Sequence, residues 1–245
     1  MDSSTSGSTP YAVVCVQDPP QTTPSRFLKT ASECGYQGLI ILVTDPHQAP
    51  RTDFPVHPPI DSAWGLSIED PDRGTVSRLL TEHRKTTPVL RATGGDIGMC
   101  RFLANQERID VLGDPGPGGE ELPHTVLKTA KEHGVYVEFD FGQLLQQSGS
   151  NRAASIKTLR NRYRIVEHYN IPYVITTHAD SHLQLRSPRS LCAVGDHIDI
   201  PAEAVMRGLS SWKDILHRTR CAHDDRYIQP GIKVESNETA DREPR

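Results

Sequence analysis

The chain has 245 residues, 24% of them charged and 6% aromatic, with a formal net charge of -4. That length allows one large domain or two small ones, and the ordinary composition excludes disorder over most of the chain. No stretch approaches the ~20 apolar residues of a membrane span. The cysteines Cys15, Cys34, Cys100, Cys192 and Cys221 form no CxxC pair, which argues against a zinc ribbon or a disulfide framework. The opening MDSSTSGSTP lacks the apolar core of a signal peptide. A cytoplasmic protein is expected, in which the sequon at Asn237 has no role.

The charge is uneven. Residues 1 to 150 carry 12 Lys+Arg against 19 Asp+Glu, residues 151 to 220 carry 11 against 6, and residues 221 to 245 carry 4 against 6. Mild overall acidity therefore hides a basic third. Of the 27 basic residues 20 are Arg, whose planar fork matches a phosphate with two hydrogen bonds; genomic composition explains the same bias.

In chain order, Tyr11 to Val16 reads as a strand, Pro24 to Cys34 as a Pro-opened helix stopped by Gly35, and the run to Val43 as a second buried strand. A Pro-rich loop from Thr44 to Asp61 leads to the weak strand WGLSI, the helix RGTVSRLLTEHR, the strand TPVLRA and its exit TGGD. Then come the strand IDVLG, the Gly/Pro-rich DPGPGG, a helix ending at Gly134, the strand VYVEFDF, a helix near Asn151 to Tyr169 and the strand PYVIT. Seven strands alternating with helices predict parallel βαβ units. The expected fold is an α/β TIM-like barrel, closed or incomplete, in a single domain over residues 11–231. An open doubly wound sheet is the runner-up. Residues 1–10 and the charged tail 232–245 are expected to be unstructured.

A parallel barrel gathers its functional residues at the C-terminal strand ends. These ends offer Asp45 and His47, the turn Gly94, Gly95 and Asp96, then Asp114, Glu138, Asp140 and His178. A catalytic metal needs about three protein ligands. His178 and His182 make an HxxxH pair, but no HxH or HExxH occurs, so surface or supporting histidines are the default and no metal site is expected. Neither GxSxG, GxxxxGK[ST] nor GxGxxG is present. The Gly94-Gly95 pair needs nothing more than a tight turn.

The stretch NRAASIKTLRNRYR, Asn151 to Arg164, has five basic residues and no acid. On a helix at about 100° per residue, Ile156, Leu159, Tyr163 and Val166 share one face, which predicts that face as buried. Lys157, Arg160 and Arg164 then form a flanking stripe suited to RNA phosphates, with Arg162 on the other flank. A solvated outer face of a barrel helix is the plainer alternative. In LRSPRSL, Ser187 and Pro188 read as an N-cap and first helical residue, bracketed by Arg186 and Arg189. Two guanidinium groups beside the positive end of a helix dipole favour a nearby anion. The competing expectation is that either arginine pairs with a carboxylate such as Glu138 or Asp180.

Together GYQG at 35 to 38, GGD at 94 to 96, IDVLGDP, VYVEFDF and above all SHLQLRSPRSL from Ser181 to Leu191 resemble archaeal ribonuclease P protein component 3. That family is related to the eukaryotic 30 kDa ribonuclease P subunit. The resemblance implies a barrel akin to metal-dependent phosphoesterases that serves as a scaffold. It implies a noncatalytic subunit of the ribonucleoprotein endonuclease that removes the 5′ leader of precursor tRNA. The implied partners are ribonuclease P RNA, the component 2 protein and other subunits, with Mg²⁺ held by the RNA and no membrane. Its motif residues here are Gly94, Gly95, Asp96, Ser181, His182, Ser187 and Pro188. The chain departs from the pattern at Asp114, where His is usual before Pro115, at His178, where a Gly is usual, and at Cys100. A metal-dependent barrel phosphoesterase and a protein-only interaction module are the competing readings.

Overall fold

The computed structural model describes residues 9–16, 20–48, 59–115, 121–223, 227–229 and 232–233. Seven parallel strands follow one another in order: β1 (Tyr11–Cys15), β2 (Gly38–Val43), β3 (Asp61–Ile68), β4 (Val89–Ala92), β5 (Val111–Leu112), β6 (Tyr136–Asp140) and β7 (Tyr173–Thr176). Among the described residues β1 and β7 meet through one parallel bridge, Val14 to Ala179, where Cys15 N donates to Ala179 O at 3.0 Å. The sheet therefore curls almost fully round, and the incomplete-barrel expectation holds over the open-sheet one.

Helices α1 (Pro24–Glu33), α2 (Arg73–His83), α3 (Ile97–Ala104), α4 (His124–Glu132), α5 (Phe141–Gln146) and α6 (Gly149–Tyr169) lie in the crossovers other than that from β2 to β3, and α7 (Pro188–His197) and α8 (Ala202–His223) follow β7. Short polar residues start several of them. Asp72, Asp96 and Asp140 accept hydrogen bonds from Thr75 N, Met99 N and Gly142 N at 2.7 Å each, satisfying amides that the first helical turn leaves unpaired.

The lower interior is apolar, with Tyr11, Val13, Ile40, Leu42, Val89, Val111 and Val174 in one cluster with Trp212, Ile215 and Leu216 of α8. Where an eighth strand would pair with β7, Trp212 Nε1 instead donates to Ile175 O at 3.1 Å, so a buried edge carbonyl keeps a partner. Salt bridges from Arg220 to Asp61 (2.8 Å) and from Arg218 to Asp110 (2.9 Å) tie the end of α8 to the starts of β3 and β5. The helix thus covers the gap and the N-terminal mouth.

Several expectations change here. Helices α3, α5 and α8 go beyond the elements expected from sequence, and Phe141 opens α5 instead of ending β6. Pro10 is buried and accepts from Gln37 N at 3.0 Å, so the end expected to be unstructured is anchored at its last residue. Strands β8 (Tyr227–Gln229) and β9 (Ile232–Lys233) pair antiparallel across the boundary expected at 231. Residues 1–8 and 234–245 lie outside the described residues.

Candidate functional site

Above the apolar layer, alternation along the strands turns polar side chains into the C-terminal mouth: Cys15 from β1, Ser67 from β3, Arg91 from β4, Glu138 and Asp140 from β6, Thr176 from β7 and His178 just beyond. Glu138 is fully buried at the centre. Arg91 Nη2 donates to Glu138 Oε2 at 2.8 Å and Nε to both oxygens at 3.1 Å, while Nη1 reaches Ser67 Oγ at 2.8 Å and Glu69 Oε1 at 3.0 Å. Thr176 Oγ1 and Asp114 N also donate to Glu138, at 3.2 and 2.9 Å, and His178 Nε2 lies 2.7 Å from Oε1. Gly113 permits this packing, since a Cβ there would sit 2.8 Å from the Arg91 guanidinium carbon.

The electrostatics follow from burial opposed by pairing. Burial disfavours the Glu138 charge, yet Arg91 and His178 hold its carboxyl well below the usual range. Burial likewise opposes the His178 cation, but Glu138 outweighs it and raises the imidazole well above its ordinary value. Asp140 is pushed up, by burial first and then by Glu138 and Asp114, with His178 opposing. His178 has φ +41°, a left-handed conformation that favours glycine. Its two side-chain contacts, to Glu138 and to Cys15 Sγ at 3.2 Å, hold it there.

A second pair adjoins the first. Arg162 is 1% exposed; its Nη1 donates to Asp114 Oδ2 at 2.6 Å and to Glu138 O at 3.0 Å. This corrects the sequence periodicity, which places Arg162 on a flank of the buried face rather than within it. The buried face of α6 is instead Leu159, Arg162 and Val166, with Ile156 and Tyr163 half-buried. The helix is rotated because the Asp114 carboxylate gives a buried guanidinium a partner.

With both Glu138 oxygens saturated and two guanidinium groups in the mouth, a divalent cation would meet fixed positive charge. Among the described residues no three His, Cys, Asp or Glu side chains are grouped to hold a metal. Among the described residues the mouth does not fit the metal centre of a phosphoesterase.

The basic residues outside the mouth divide in two. Lys157 and Arg164 are exposed, whereas Arg160 Nε pairs with Asp199 Oδ2 at 2.7 Å. Among the described residues the stripe is thus reduced to two cations without an ion pair. At α7, Pro188 opens the helix and Ser187 Oγ accepts from Ser190 N at 3.2 Å. Arg189 is exposed and, among the described residues, makes no ion pair. Arg186 is exposed, and its Nη1 donates to the carbonyls of Leu183 and Leu185 at 2.9 and 3.1 Å. Neither arginine reaches Glu138 or Asp180.

The remaining motif residues shape turns. Asp96 caps α3, and a Cβ at Gly94 would lie 2.8 Å from Cys100 N. Gly95 has open space around it. Ser181 accepts from Leu183 N at 3.4 Å, and His182 N donates to Thr22 Oγ1 at 3.2 Å, docking the turn before α7 against the segment leading into α1.

Fold and site define an incomplete parallel α/β barrel whose mouth is lined by internal ion pairs. The chain belongs to the RNase P subunit p30 family, whose model matches residues 11–223. It is 33% identical to ribonuclease P protein component 3 of Halobacterium salinarum, over 91% of this chain and 96% of that one. It is 31% identical to the protein of the same name from Haloarcula marismortui, over 93% and 97%. In fold it is similar to a chain in a cryo-EM structure of archaeal ribonuclease P with mature tRNA, with a TM-score of 0.74 at 19% identity, covering 94% of this chain and all of that one.

Proposed function

We propose that this chain is a protein subunit of ribonuclease P, the ribonucleoprotein that removes the 5′ leader of precursor tRNA, and that it braces the catalytic RNA without performing chemistry itself. Family membership over residues 11–223 carries the reading. The ion-paired mouth supports it, since the groups that a hydrolytic barrel would leave open for a metal are spent on one another. Mg²⁺ then belongs to the RNA of the assembled enzyme.

RNA contact rests on exposed cations. Lys157 and Arg164 on α6, and Arg189 in the first turn of α7, can meet phosphates without base specificity. Arg160 is already neutralised in part by Asp199, and Arg186 holds its own loop, so both contribute less. Component 2 protein and further subunits are the expected protein partners, and the cytoplasm the expected compartment. No described helix is long and apolar enough to cross a membrane.

Reconstitution tests the proposal. The particle assembled from RNA and the other proteins should cleave precursor tRNA poorly until this chain is added. Metal-dependent phosphoester hydrolysis by the purified chain alone would overturn it.

A further inference from the structure

The mouth contains an arrangement that the scaffold role does not use. Cys15 Sγ lies 3.2 Å from His178 Nδ1, and the opposite ring nitrogen, Nε2, lies 2.7 Å from Glu138 Oε1. Thiol, imidazole and carboxylate are therefore linked in that order, with Glu138 orienting the ring toward Sγ. The barrel seam fixes the alignment, because Cys15 N donates to Ala179 O, one residue beyond His178. Cys15 is partly exposed. The imidazole that Glu138 holds lies directly against Sγ, the kind of neighbour found beside reactive cysteines. The left-handed backbone of His178 is an energetic cost sustained at this one point of the mouth.

The other cysteines lack this setting. Cys100 is buried, and burial with Asp96 pushes its thiol up to about 11. Burial also raises Cys34 and Cys192. Cys221 stays 3.8 Å from the nearest nitrogen of His217, one turn away on the outer face of α8.

We infer that Cys15 is a covalent modification site, a nucleophilic thiol that reacts with low-molecular-weight disulfides and other soft electrophiles at the barrel mouth. In the exchange step Cys15 sulfur attacks one sulfur of the disulfide. A Cys15 S–S bond forms, the original S–S bond breaks, and the departing thiolate takes a proton from solvent in place of the one Cys15 released. Cys15 is oxidised to the mixed disulfide while the other half of the reagent is reduced to thiol.

The test uses the full chain under native conditions with limiting iodoacetamide, and in parallel with glutathione disulfide, followed by mass mapping of all five cysteine peptides. Cys15 is expected to be modified about tenfold faster than the other four, a margin in keeping with an imidazole hydrogen-bonded to the sulfur. The ranking should collapse in urea. His178→Gln should bring the Cys15 rate down to that of Cys221, while Cys100 stays protected and so reports an intact fold. A native Cys15 rate no higher than that of Cys221, or a ranking that survives in urea, overturns the inference. The wild-type measurement decides this even where the variant does not fold.

Discussion

Arg162 and Asp114 meet at 2.6 Å beneath the outer surface of α6, with the guanidinium 1% exposed. This contact takes a cation from the most basic stretch of the chain and spends it on the barrel interior. It also accounts for aspartate at 114: Asp114 takes Arg162 with its side chain and Glu138 with its backbone N–H.

Breaking that pair should be costly. Removing one partner of a buried ion pair typically destabilises by about 3–5 kcal/mol, because the other charge is left uncompensated. Arg162→Met is expected to lower the urea midpoint accordingly, and adding Asp114→Asn should restore part of the deficit. A midpoint within error of the wild type would show that the pair contributes no net stability.

The pH dependence has two limbs of opposite sign. Glu138 is depressed in the fold, so its contribution is present above the ordinary carboxylate pKa and disappears as pH falls through the folded value. His178 is raised, so its contribution is complete below about 6.5, the unfolded value, and disappears as pH rises through the folded one. Asp140 is raised and works against Glu138 on the acid side. Melting temperature measured against pH should therefore fall on the alkaline side in the wild type, and that limb should flatten in His178→Gln. An identical alkaline limb in the variant would assign it to another group.

For RNA, the Lys157→Ala/Arg164→Ala double variant should bind with a shallower salt dependence. The log–log slope should shrink by about 0.7–0.9 for each phosphate no longer neutralised, the single-strand and duplex values. Arg160→Ala should change it less, since Asp199 already answers that charge. An unchanged slope in the double variant would place the RNA on another face.

At the start of α7 the two arginines should part company. Arg189→Ala is expected to weaken assembly with the melting temperature unchanged. Arg186→Ala should lower it by the equivalent of about 1 kcal/mol, because the Leu183 and Leu185 carbonyls are then without their guanidinium donor. A destabilised Arg189→Ala protein with normal RNA affinity would reverse this assignment.

The strands are legible in the sequence because they are short apolar runs between turn residues, and Ser187-Pro188 announces α7 through capping chemistry that is local. Helix α3 is hidden because its start, Gly94-Gly95-Asp96, reads as a loop until Asp96 is seen to cap it. The interior network is hidden for a different reason. Arg91 and Glu138 lie 47 residues apart, and only barrel closure brings them together. The one signal for it is a charged residue at an inward position of an otherwise apolar strand, as in VLRA. For Arg162, periodicity ranks side chains by hydrophobicity and cannot see Asp114.

The most direct measurement is single-turnover cleavage of precursor tRNA by the particle assembled with and without this chain, under limiting Mg²⁺. The scaffold account predicts that omission lowers the cleavage rate and that adding back the wild-type chain or Cys15→Ser restores it, since no side chain of this protein enters the chemistry. Cleavage that proceeds equally well without the chain would contradict it.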